Sequence, residues 1–185
     1  MRLRYPLIQR ILILVLPLAS FLSCEQISPD EGKRQTSFDT EYYEMDFILL
    51  KNSRSGFHIF AEEVFSSELS SVPGLSGMNE DHIHTVLIKE ANISLPEPIR
   101  YTDFNMLGFI EFTVYTDSLG DEKIAWSDPV PRDRSAVSLD LADKNMLPYF
   151  KEDKFILTVQ GYLNEPVYEN IGLHAKVNFE VRGEF

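Results

Sequence analysis

The sequence predicts an all-β fold, an antiparallel two-sheet sandwich of immunoglobulin-like type with about eight strands and one or two short helices. Three observations predict it. Apolar residues recur at every second position over much of residues 41–185, and clusters of Gly, Pro, Asn, Asp and Ser separate these runs at short intervals. No helix-length segment stands between the runs, which excludes a parallel sheet built from strand–helix–strand units.

In chain order, strands are expected at 43–50, 56–61, 83–95, 107–116, 123–127, 136–141, 155–163 and 173–181. The clearest alternation is the last, where Leu173, Ala175, Val177, Phe179 and Val181 point one way and His174, Lys176, Asn178 and Glu180 the other. Phe155, Leu157, Val159, Gly161 and Leu163 repeat the pattern, and the short connection at 164–170 suggests that these two strands are antiparallel neighbours. Turn chemistry at 52–56, 117–121 and 128–131 punctuates the runs. Two segments break the period of two. Val64, Phe65 and Leu69 within 62–71, with Val72 just after it, and Leu141, Met146, Leu147 and Phe150 within 141–150, fall at helical spacing and predict short helices closing the open ends of the sandwich. The single cysteine excludes the Cys-Trp-Cys core of antibody domains.

The 185 residues, 44% of them hydrophobic, suffice for one core, so residues 41–185 read as a single domain. Seventeen Lys and Arg against 29 Asp and Glu give a formal charge of -12, which argues against nucleic acid and against a broadly anionic lipid surface as partners. One cysteine makes neither an internal disulfide nor a multi-thiolate metal centre.

Residues 1–23 carry Arg2, Arg4 and Arg10, then an apolar run from Ile11 to Leu22 that contains Pro17. This is the order of an export signal, and the run of 12 residues falls short of the roughly 20 that span a bilayer. The run ends in Phe21-Leu22-Ser23-Cys24, a small residue directly before the only cysteine. The segment resembles a bacterial lipoprotein signal. Phe21 and Leu22 depart from the usual pattern, so the likeness rests on Ser23 and Cys24. The resemblance implies diacylglycerol on the Cys24 thiol and cleavage before it, and hence a protein held by acyl chains at a cell envelope, in the outer membrane. Loss of residues 1–23 removes three arginines and brings the charge near -15. Residues 24–40 are almost free of apolar side chains and read as a solvated tether behind the lipidated cysteine. Glu25, Asp30 and Glu31 resemble the acidic export determinant of surface lipoproteins of the Bacteroidetes group. No named domain family is recognised in 41–185.

Candidate chemistry is sparse. His82 and His84, two apart on an expected strand, would share a face about 6–7 Å apart and are metal-ligand candidates. They lack a clear third ligand, and polar residues on the wet face of a strand are the simpler account. Asp117, Asp121 and Glu122 around Gly120 fit no EF-hand loop. His58 and His174 fall at outward positions without an evident acid or nucleophile. No nucleophile elbow, phosphate-cradling loop, dinucleotide fingerprint or zinc-protease helix is present, so no catalytic residue and no cofactor is assigned. Among the aromatic residues, Trp126 beside a turn and Tyr162 at an outward position are the candidates for stacking on a glycan. The function expected is a non-enzymatic, lipid-anchored interaction or structural module whose partners are membrane lipid through acylated Cys24 and another envelope protein, met at a strand edge or at the loops. The alternatives are a glycan-binding lipoprotein associated with nutrient uptake and a small metal-dependent enzyme.

Overall fold

A computed structural model of the chain describes residues 35–67, 69, 75, 80–96 and 104–184. The signal segment, Cys24 and most of the tether lie outside the described residues. Two five-stranded, wholly antiparallel sheets face each other, as the alternation predicts. The first sheet holds β1 (Gln35–Asp39), β2 (Tyr43–Leu49), β4 (Ile83–Ser94), β7 (Ala136–Ser138) and β10 (Ile171–Glu184). The second holds β3 (Gly56–Ser66), β5 (Leu107–Thr116), β6 (Gly120–Ser127), β8 (Asp140–Leu141) and β9 (Lys154–Leu163), in the order β3-β9-β5-β6-β8. A 3-10 turn covers Glu80–His82, and one short helix, α1, covers Leu147–Phe150.

The 14-residue β10 organises the first sheet. It pairs with β4 on one side and, on the other, with β2 over Ile171–Val177 and with β1 over Glu180–Glu184. Buried Thr40 bridges the gap between those two strands. Its N–H donates to the Phe179 carbonyl at 2.8 Å and its hydroxyl accepts from the Phe179 N–H at 3.0 Å, so no backbone group is orphaned at the break. Strand β1 thus lies inside the segment that composition alone assigns to the tether.

The core fills with the inward residues of both sheets, among them Val86, Ile93, Ile110, Phe112, Leu157, Val177 and Val181. Each such side chain taken out of water is worth about 1.5–3 kcal/mol. At one end the rings of Tyr43, Phe65, Phe150, Phe155 and Phe179 meet edge-on or tilted, with centroids 4.9 to 6.3 Å apart. Gly161 marks the tightest approach in the second sheet. A Cβ there would lie 2.3 Å from the Phe109 carbonyl oxygen and 3.0 Å from the Phe60 ring, so only glycine lets β9 lie this close to β5.

Four local expectations are corrected. Residues 62–66 are not helical but continue β3. Its register with β9 skips Phe60, and this bulge shifts the parity so that Ile59, Glu62 and Val64 share a face. A strand with one residue inserted mimics a helical period. Residues 136–141 are two strands, for Leu139 turns the chain from β7 in the first sheet to β8 in the second. Strands β9 and β10 are not neighbours, since 164–170 carries the chain across the sandwich. The helix at 141–150 shrinks to α1, held by Asn145, whose Oδ1 accepts from the N–H groups of Val86 and Leu147, both at 3.0 Å, and whose amide donates to the His84 carbonyl at 3.1 Å.

Candidate functional site

The antiparallel registers of β3, β9, β5 and β6 set the outer face of the second sheet in rows. Phe57, Tyr162 and Phe109 form the first, and Ile59, Gln160, Glu111 and Trp126 the second. Glu62, Thr158, Thr113 and Lys123 form the third, and Val64, Ile156, Tyr115 and Asp121 the fourth. Phe57, Ile59, Val64 and Tyr162 are 54%, 60%, 57% and 42% exposed, which is unusual for apolar side chains clustered on one face. The Tyr162 ring stacks on Phe109 at 6.4 Å and 20°, and the Phe57 ring lies 6.3 Å from Phe109 at a tilt of 39°.

Both aromatic residues singled out from the sequence lie on this face. Tyr162 sits on β9 opposite Phe109, and Trp126 sits on β6 opposite Glu111, so the two flank β5 about 12 Å apart by strand spacing. Between them the Gln160 amide donates to Glu111 at 2.7 Å, and Lys123 lies 3.9 Å from Glu111 and 4.9 Å above the Trp126 ring. Trp126 is thus half-covered by a cation, whereas Tyr162 belongs to an open aromatic row. Phe57, Ile59 and Phe109 were not singled out from the sequence. The available signal was that residues 57–61 are apolar on both faces, a pattern that asks for cover on both sides.

The outer face of the first sheet is of the opposite character, because its charges are paired with one another. Tyr42 donates to Glu90 at 2.5 Å, Asn92 also donates to Glu90, and Lys176 lies 3.7 Å from Glu90 and 4.4 Å over the Tyr42 ring. The Tyr42 hydroxyl holds the Glu90 carboxyl below its usual range, and that carboxylate in turn raises Tyr42. Lys89 pairs with Asp39 at 2.5 Å, and the Arg182 guanidinium binds Glu180 and lowers its pKa. His174 meets two acids that the sequence did not reveal, Asp46 at 2.8 Å and Glu44 at 4.0 Å, across the β2–β10 pair. An open groove of about 470 Å³ on this sheet, lined by Thr36, Ser37, His84, Glu180 and Arg182, already has its arginine engaged by Glu180.

The remaining candidates separate. His82 ends the 3-10 turn whereas His84 lies on β4, so the parity that would align them does not apply. The nearest acid to His84 is Glu184 at 3.8 Å, and among the described residues no group of three His, Cys, Asp or Glu could hold a metal ion. In the β5–β6 turn Asp117 accepts from the Tyr115 hydroxyl at 3.1 Å and Glu122 pairs with Lys144, so protein partners take up these carboxylates. His58 is not at an outward position as alternation suggested: Phe57 and Ile59 take the outer face of β3, and half-buried His58 lies opposite buried Gly161, with a ring nitrogen 2.7 Å from the Arg54 carbonyl oxygen.

No family model matches the chain and no curated protein is similar to it. Among solved structures the chain is similar to the one described as the crystal structure of decameric BFDV capsid protein, at 16% identity and a TM-score of 0.45, covering 81% of this chain and 99% of that one. A likeness of that size carries no functional information.

Proposed function

We propose that the chain is a lipid-anchored, non-enzymatic interaction module of a bacterial cell envelope, held in the outer membrane by acylated Cys24 and docking another envelope protein on the outer face of the second sheet. The difference between the two outer faces supports this reading. One keeps its charges paired within the sheet, while the other leaves the apolar row Phe57-Tyr162-Phe109, with Ile59 beside it, in water. The signal resemblance at Ser23-Cys24 supports the anchor.

Recovery of partners from the native membrane by the full acylated chain tests the assignment of the face. Phe57→Ser with Tyr162→Ser should lower recovery about tenfold or more, as loss of central aromatic contacts does. Lys176→Ala on the opposite face should leave it within about twofold. Equal recovery by both variants contradicts the assignment.

A second reading, a glycan-binding lipoprotein serving nutrient uptake, is favoured by the open row Phe57-Tyr162-Phe109 beside the polar pair Gln160 and Glu111. It predicts that soluble oligosaccharides quench the fluorescence of Trp126 or protect Tyr162 from modification. No change with any glycan of a broad panel removes it.

A further inference from the structure

The rows of the second sheet are complementary to themselves. Placing a two-fold axis in the plane of the face, parallel to the strands and between β9 and β5, lays β9 of one copy over β5 of the other and β3 over β6. Row is kept under that operation. In the first row Tyr162 of each copy then lies over Phe109 of the other, ring against ring. In the second, Ile59 lies over Trp126 and the Gln160 amide over the Glu111 carboxylate. In the third, Glu62 of each copy lies over Lys123 of the other, giving two opposite-charge pairs. The match ends at the fourth row, where Val64 falls against Asp121.

Charge is the discriminating term. A chain at -12 repels its own copies, so self-association needs a face on which its charges alternate, and the cross-sheet order Glu62, Thr158, Thr113, Lys123 supplies one. Lys123 has half of its side chain exposed and so retains donors for a second carboxylate. The packing required is an aligned face-to-face packing of two sheets about 10 Å apart, with the strands of both copies running along the axis. Anchoring both copies in one membrane raises their effective concentration, so a modest face suffices.

We propose that the envelope protein met by this face is a second copy of the same chain, in a two-fold pair with Glu62 opposite Lys123. This rests on the docking reading given above. Across two packed sheets positions 62 and 123 of different copies are about 10 Å apart, whereas within one chain they are three strands, about 14 Å, apart. The full acylated chain carrying Glu62→Cys and Lys123→Cys should therefore form a covalent dimer in its membrane with a short bis-thiol-reactive reagent that adds the few ångströms a disulfide lacks, and neither single variant should. A pair on the other face, Asp46→Cys with Lys89→Cys, sets the level of random collision. In a second measurement, sedimentation in detergent, Glu62→Lys alone should abolish the dimer, and Glu62→Lys with Lys123→Glu should restore it. A cross-linking yield no higher than that of the control pair, or no recovery on charge exchange, overturns the proposal. If that happens while Phe57→Ser with Tyr162→Ser still abolishes capture of a different envelope protein, the docking reading stands without the second copy. If the face variants change nothing either, both fall.

Discussion

Tyr43 is where the two sheets and α1 meet, its ring 5.2 Å from Phe65 of β3, 5.3 Å from Phe155 of β9, 5.8 Å from Phe179 of β10 and 6.3 Å from Phe150. Burial pushes its hydroxyl up to about 12 from an ordinary value of 10. Because the folded value lies above the unfolded one, the neutral form favours folding, with the full contribution below pH 10 and progressive loss as pH rises towards 12. Urea unfolding at pH 9 and pH 11.5 should show wild type losing up to about 2 kcal/mol more than Tyr43→Phe, and equal losses would contradict the burial account. At this scale the sequence was informative wherever parity decides. Tyr162 was placed outward by alternation and Trp126 was singled out beside a turn, and the two lie on one face. The His174–Asp46 contact was not legible, since its partners are 128 residues apart and meet only once β2 pairs with β10.

The period of two located the centres of most strands but missed β1 and the ends of β6 and β10, and it failed where the chain changes sheet or inserts a residue. The β5 limits match alternation at both ends, while the bulge at Phe60 disguised the second half of β3 as a helix. Strand β3 is also the edge at which the second sheet ends, and it carries two protections against strand addition, the bulge itself and Glu63, which falls among the inward positions opposite Leu157. These protections agree with the proposal that docking uses the face of this sheet. The helical segment depends on one side chain. Asn145→Ala leaves the Val86 and Leu147 N–H groups without their acceptor, and should cost about 2–3 kcal/mol in denaturant unfolding with an unchanged slope. A loss below about 0.5 kcal/mol would mean that α1 is held by the packing of Phe150 alone.

For the whole molecule, two sheets and one core follow from alternation and length, whereas the distribution of character between the two outer faces emerges only from register. The sequence shows that both faces of residues 57–61 are apolar; pairing with β9 and β5 is what gathers Phe57, Tyr162 and Phe109 into a row. In the proposed reading an acylated Cys24 sets the geometry in which that row acts. Eleven residue steps lead from Cys24 to Gln35, so full extension places the start of β1 no more than about 40 Å from that cysteine. Two or three acyl chains, at about 0.8 kcal/mol per buried methylene, hold such a protein on a bilayer where one chain does not. The most direct measurement is the intact mass and membrane partitioning of the full chain, expressed with its signal in a bacterial host, beside Cys24→Ala. The account predicts that wild type loses residues 1–23, gains acyl mass and stays with the membrane, while the variant remains unprocessed or is released. Wild type recovered as a soluble exported protein, with the mass of an unmodified cysteine, would contradict it.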